Sequence, residues 1–436
     1  MDSSTGHSRI LPNRLHLVLV AMCLAVLSVA SVAFTSLKDG WDNSWYAHTT
    51  VSLLREGNLS IDEYEGQIAQ RRGFGIRRID DVPYNFFPIG PSLVAVPIVA
   101  PLLFLFGDDP VTFRAILPIP IAAGIVVGFF TLLWRLTHRL TPSICLTLLA
   151  WFGTTNLTTL AGGAWSHGPA ELLLLLIAIT ALSEKEKESN GRRICRWVFC
   201  GICVTLVYLC RPPGLLLALP VFYWSWHRGR TNAIIAALSA IVAACAFMVF
   251  SQSMIGQILP PYYAAGRLTL KGLPDGLSGQ LISPNRGLFW FFPVSLLSLV
   301  GAIRAVSRRD VILLPIAISS VAFCAAVACF PHWWGGWSYG PRLHTDMIPW
   351  MILLLLPIIE PVATAQRQIV VFAVLAAIAL AIQMRGYCST APWNWNEFPI
   401  DVDEDPARLW DFSRLQIIGV EKPMELDGGE ISQGAP

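Results

Sequence analysis

Long apolar blocks recur along this chain, each close to the roughly 20 residues a helix needs to cross a hydrocarbon core. About eleven helical spans follow from length alone, near residues 15–37, 112–134, 142–161, 168–183, 194–210, 212–226, 232–254, 287–303, 311–330, 345–361 and 368–384. The first, Leu15–Leu37, is too long for a signal-peptide core and has no small-residue cleavage site before a soluble domain, so it reads as a retained span. Composition agrees. Hydrophobic residues make up 54% of the chain and charged residues 14%, against roughly 25% charged in a soluble domain. The mean hydropathy is +0.56. The fold class expected is therefore an all-α polytopic membrane protein.

The stretch 91–107 is also apolar, but Pro88, Pro91, Pro97 and Pro101 punctuate it. It reads as an interfacial or re-entrant element and not a full span. Charge then sets the sides. With a cytoplasmic N-terminus, the inner connections hold Arg9, Arg14, Arg135, Arg139, Lys185, Lys187, Arg192, Arg193, Arg196, Arg228, Arg230, Arg304, Arg308, Arg309 and Arg367. These short connections hold 15 of the 31 Lys and Arg, as the positive-inside rule requires. Counting 91–107 as a span would invert every later loop. Of the 29 acids, 22 fall outside, six inside, and Glu171 within a span.

The large outer segments are then 38–111, 255–286, 331–344 and the tail from about 385. Residues 1–385 form one transmembrane unit, with 38–111 as a first outer loop carrying interfacial helices. Residues 386–436 form a small outer tail, with Trp393, Trp395, Trp410 and an acidic run from Asp401 to Asp405. This tail reads as a small cap or a partly ordered extension. No internal repeat, basic stripe for nucleic acid or Gly-rich phosphate loop is seen, which argues against nucleic-acid binding and NTP-driven chemistry. Nine of the ten cysteines lie in or beside apolar blocks and Cys388 in a loop, neither a disulfide framework nor a zinc site.

Chemistry-bearing residues gather in the outer segments. Residues 38–56 place Asp39 and Asp42 directly after the first span, then Trp45, Tyr46, Thr49, Leu53 and Leu54 at helical spacing. Asp42 reads either as a helix N-cap or as a general base at the membrane surface. In 281–293, the turn Ser283-Pro284-Asn285 leads into Arg286, either a snorkelling anchor or a phosphate clamp. Residues 330–346 pack Trp333, Trp334, Trp337, Tyr339, His332, His344, Arg342, Asp346 and three glycines into one short loop. Flat aromatics beside polar groups suit a sugar face, and this loop reads as a binding site. Arg342 is a second phosphate-clamp candidate and Arg211, at the end of the fifth span, a third. Trp165-Ser166-His167 precedes the fourth span, with Glu171 one turn inside, and an ionisable group there is a functional candidate. His332 and His344 lack a third ligand motif, so no metal site is assigned.

This arrangement resembles the glycosyltransferase-C superfamily, multi-spanning transferases that use polyprenyl-phosphate-linked sugars and include protein mannosyltransferases and aminoarabinose transferases. The resemblance covers roughly residues 15–385: one span, an acidic residue right after it, interfacial helices, and a short re-entrant segment. Asp42 sits where the family's base is expected, but Asn43 follows it where well-known members often carry two adjacent acids, so Asp39 is an alternative base. The resemblance implies a polyprenyl-phosphate sugar donor, a lipid, polysaccharide or protein acceptor, contact with membrane lipid, and a bacterial inner-membrane protein whose active face is periplasmic or extracellular. It further implies inversion at the sugar, with Asp42 or Asp39 as base and Arg211, Arg286 or Arg342 on the leaving phosphate. The substrate is expected to meet Trp334, Trp337, Tyr339, His332 and Glu171 as well. Some members use a divalent cation, for which Asp346, Asp275 and Glu171 are available. The rival reading is a transporter or flippase for a lipid-linked or small polar substrate.

Overall fold

The computed structural model describes residues 13–35, 41–183, 188–263, 268–362 and 366–421. Helix α1 (Arg14–Ala33) opens the chain, with the Asn13 side chain accepting from the His16 amide. The first outer loop follows: a 3-10 turn (Trp41–Asn43), α2 (Tyr46–Arg55), α3 (Glu65–Gln70), and a hairpin of β1 (Ile76–Ile79) and β2 (Val82–Asn85). The hairpin is antiparallel, pairing Ile76 with Asn85 and Ile79 with Val82. The helix expected after Asp42 is thus present as α2, while the hairpin is an addition to the all-helical expectation.

Next come α4 (Gly90–Phe106), α5 (Pro110–Ile116), α6 (Pro118–Thr137), α7 (Leu140–Phe152), a π turn (Asn156–Leu160), α8 (His167–Leu182) and α9 (Asn190–Cys210). Then follow α10 (Gly214–Ala218), α11 (Pro220–His227), α12 (Arg230–Ile255), α13 (Leu273–Ile282), α14 (Leu288–Phe291), α15 (Ser295–Arg308) and α16 (Leu313–Ala328). A 3-10 segment (Arg342–Met347) leads into α17 (Ile348–Leu353) and α18 (Leu356–Val362), and α19 (Gln366–Cys388) and α20 (Ala391–Asn394) complete the set. Among the described residues, six helical stretches are long and apolar enough to cross a membrane, and α4, α7, α8 and α16 are shorter apolar helices.

Several expected spans are broken, and proline is the recurring cause. The block 212–226 divides into α10 and α11 at Pro220 and 287–303 into α14 and α15 around Pro293, while 112–134 lies within one membrane-length apolar stretch, Pro110–Thr137, in which α5 and α6 meet at Pro118. A proline has no N–H to continue the ladder, so the helix stops or kinks there. The stretch 91–107 departs in the other direction. It forms one continuous helix, α4, with Pro97 and Pro101 inside it. A re-entrant segment would turn back on itself, and α4 does not. Its 17 residues reach about 26 Å at the α-helical rise, short of the hydrocarbon thickness.

The core lies where α6, α8, α9 and α17 meet, filled by Ile125, Leu133, Leu174, Leu175, Ile177, Val207 and Ile352. Apolar surface on the outer helices is left exposed instead, as at Ile241, Val242 and Val249 of α12. In α12 only 11% of the apolar window is buried, against 78% in 342–359, which marks the latter as the centre and the former as the rim. Residues 391–421 are not a loose tail. Trp395, Val402 and Leu409 form a small core with Trp333 and Trp334, and Asn285 donates to the carbonyls of Arg408 (2.8 Å) and Asp411 (3.0 Å).

Candidate active site

Four segments converge at one end of the bundle. The 3-10 turn after α1 brings Asp42, the start of α8 brings Trp165, Ser166 and His167, the end of α9 brings Arg211, and the 3-10 segment before α17 brings Arg342 and Asp346. Local chemistry places each one. Pro212 and Pro213 stop α9, leaving Arg211 extended beyond the last helical turn. Gly335, at φ 77°, turns the loop so that its carbonyl meets Arg342 at 2.6 Å.

Two linked ion pairs form the site. Arg342 Nη2 donates to Asp42 Oδ2 at 3.3 Å, and its guanidinium lies 4.5 Å over the Trp165 ring centroid, a cation–π geometry. Arg211 Nε donates to Asp346 Oδ2 at 3.1 Å, and His167 Nδ1 lies 2.9 Å from Asp346 Oδ1. The two carboxylates therefore differ. Asp346 is 0% exposed with both oxygens engaged, whereas Asp42 is 36% exposed and held through one oxygen by a long contact. Asp42 alone of the pair can be reached from outside. It does not cap α2, whose N-cap is Trp45 with no side-chain cap bond. Tyr46, buried beneath Asp42, hydrogen-bonds Ser166; burial, with Tyr262 and Asp42 nearby, pushes its phenol well above the usual range. It remains a proton donor at neutral pH.

Other expected site residues are differently employed. Arg286 is buried, and all five of its donors are spent: Nε on Trp334 O, Nη1 on Asn285 O and Gln416 Oε1, Nη2 on Gly336 O and Asn396 Oδ1. It has nothing left for a phosphate and instead joins the 331–341 loop to the cap. By contrast, Arg342 Nε is buried without a partner. Tyr339 is buried, its hydroxyl donating to Ile382 O at 2.7 Å. Trp334 is also buried, its indole N–H donating to Asp403 Oδ1 at 2.7 Å. These two support the wall and present no face to a sugar. Trp337 keeps a 46% exposed ring with its N–H on Asp401, and His332 is exposed, its ring 4.9 Å from Trp334. Glu171 is fully buried behind the site. Asp39 lies outside the described residues.

The donor set does not fit a divalent cation. The oxygens of Asp346 are taken by His167 and Arg211, Asp42 faces an arginine, and no group of three His, Cys, Asp or Glu side chains that could hold a metal ion occurs among the described residues. Tyr46, Tyr262, Trp165 and His167 are the members to which sequence reading assigned no role, and Asp346, considered there as an acid for a divalent cation, is instead the partner of Arg211 and His167. The WSH string ahead of α8 was the available signal for His167. Nothing local marks the pairing of Asp346 with Arg211, because 135 residues separate them.

No protein-family model and no curated protein matches the chain. Among solved structures it is similar to ArnT from Cupriavidus metallidurans bound to undecaprenyl phosphate, with a TM-score of 0.48 and 13% identity over 88% of this chain and 65% of that one. It is also similar to the Archaeoglobus fulgidus oligosaccharyltransferase in its apo form, with a TM-score of 0.46 and 11% identity over 95% of this chain and 62% of that one. The chain spans at most 65% of the length of either. With TM-scores below 0.5 these likenesses carry no weight on function, which rests on the site itself.

Proposed function

We propose that this chain is a membrane glycosyltransferase that moves a sugar from a polyprenyl-phosphate donor to an acceptor hydroxyl on the outer face of the membrane, with Asp42 as general base. The observation that carries the reading is the pairing of one reachable carboxylate with two arginines of unequal employment. Arg342 has an unspent buried Nε and a loose contact to Asp42, while Arg211 is fixed by Asp346. Two such guanidiniums supply charge-assisted hydrogen bonds to a leaving phosphate as negative charge develops. The donor class comes from the resemblance to the glycosyltransferase-C superfamily.

The step runs as an in-line displacement. Asp42 takes the proton of the acceptor hydroxyl as the oxygen bonds to the anomeric carbon. The bond from that carbon to the phosphate oxygen breaks, and polyprenyl phosphate leaves as an anion held by Arg342 and Arg211. Attack opposite the leaving group inverts the anomeric centre. Asp346 and His167 orient Arg211, Trp165 backs Arg342, and Trp337 with His332 offers an aromatic surface at the rim. In this reading the N-terminus is cytoplasmic, the helices make eleven crossings of a bacterial inner membrane, residues 1–385 are the catalytic unit and 386–436 its outer cap.

The test is transfer of label from radiolabelled polyprenyl-phosphate sugars to an envelope extract by the full chain in proteoliposomes. Label moving across the bilayer without a new glycosidic bond is the transporter outcome, and it contradicts this reading.

A further inference from the structure

Helix α8 carries two ionisable side chains four residues apart, and so on one face. His167 meets Asp346 at the site. Glu171, one turn deeper, is 0% exposed, and among the described residues no cation pairs with it: Arg211 and His167 are both turned to Asp346. Its Oε1 accepts from Asn156 Nδ2 at 2.8 Å. The second hydrogen of that amide goes to Ala150 O at 3.1 Å, so Asn156 has no donor left. Two acceptors then stand without a donor, Glu171 Oε2 and Asn156 Oδ1. An ionised carboxylate has no hydrogen to offer either of them, whereas a carboxylic acid has one. A single proton on Oε2 satisfies both atoms at once, closing an eight-membered acid–amide ring, and it removes an uncompensated charge from the interior.

We propose that Glu171 is a neutral, proton-bearing carboxylic acid closed against Asn156, and that it is a positioning residue for the site. Asn156 opens the π turn, a geometry often found at functional sites. The residue before it, Thr155, bonds Thr345 Oγ1 at 2.8 Å, and Thr345 precedes Asp346, which holds Arg211. Glu171 therefore fixes the rear of the wall whose front orients a guanidinium. The protonation state stands without the transferase reading, while the positioning role rests on it.

The experiment compares the infrared spectra of the full chain in nanodiscs, wild type against Glu171→Gln. The wild type shows a carboxylic-acid C=O stretch, displaced by hydrogen–deuterium exchange, that is missing from Glu171→Gln. Carboxylate bands lost in its place overturn the proposal and indicate an ionised Glu171 reached through a bridging water. In the transfer assay, Glu171→Gln, which donates an amide N–H to Asn156 Oδ1, keeps kcat within about twofold, and Glu171→Ala lowers kcat about tenfold with KM little changed. An Ala variant as active as Gln overturns positioning and leaves the infrared result standing. If the wild type transfers no sugar, the transferase reading and the positioning role fall together, and the infrared band still decides the protonation state.

Discussion

Asp42 and Asp346 are both carboxylates facing arginine, yet their surroundings assign them different work. Asp346 is sealed between His167 and Arg211. Replacing it with Ala leaves a buried guanidinium uncompensated and costs about 3–5 kcal/mol, a fall in thermal midpoint that Asp42→Asn does not share. In the proposed transfer Arg342 stabilises the leaving phosphate, so Arg342→Ala lowers kcat by about 10²–10³-fold, measurable with donor in excess. A separate residue reports on pH. His48 is buried between Trp45 and Tyr64, and burial pushes its imidazole down to about 4. Between the unfolded value near 6.5 and about 4 the unfolded chain binds a proton that the folded loop does not. Stability is therefore full above about pH 6.5 and falls by about 3 kcal/mol as pH drops to 4. Thermal midpoints against pH show this slope, and His48→Gln flattens it. In the sequence, Arg286 and Arg342 look alike, both arginines at an outer edge. What separates them is Gln416 and Asn396, 130 and 110 residues from Arg286, and no local pattern carries that information.

At the scale of elements, apolar length predicted where helices lie and proline decided where they break. The spans at 194–210 and 232–254 were legible because nothing interrupts them, and they appear as α9 and α12. They approach closely at Gly201, where an added Cβ would meet the carbonyl of Ala236 and the backbone of Ala240. Gly201→Ala forces the two helices apart and destabilises by about 1–3 kcal/mol, read as loss of heat resistance in detergent. The hairpin in the first outer loop was less legible, because four-residue strands give too little alternation to see. The tail was the least legible element. Its fold depends on Arg286, whose removal leaves three backbone carbonyls and two side-chain amides without their donor. Arg286→Lys supplies three donors for five acceptors, so both Arg286→Lys and Arg286→Ala open residues 391–421 to limited proteolysis while the wild type resists.

For the whole molecule, the gathering of polar residues at one end of the bundle was readable from charge placement, and direct contacts join Asp42 to Arg342 and Arg211 to Asp346 there. Which of them meet was not readable, since the contacts link residues up to 300 positions apart. Native cysteines report orientation. Cys195 and Cys388 are exposed near opposite ends of the bundle. In a variant retaining only these two, a membrane-impermeant maleimide labels Cys388 in intact cells and Cys195 only after permeabilisation. The reverse pattern would place the site on the cytoplasmic side. The central claim, that Asp42 is the base of a sugar transfer, is tested most directly by transfer from radiolabelled polyprenyl-phosphate sugars with wild type and Asp42→Asn side by side. The account predicts a loss of about 10²–10⁴-fold in the Asn variant with insertion and thermal midpoint unchanged. Equal transfer by the two proteins would contradict it.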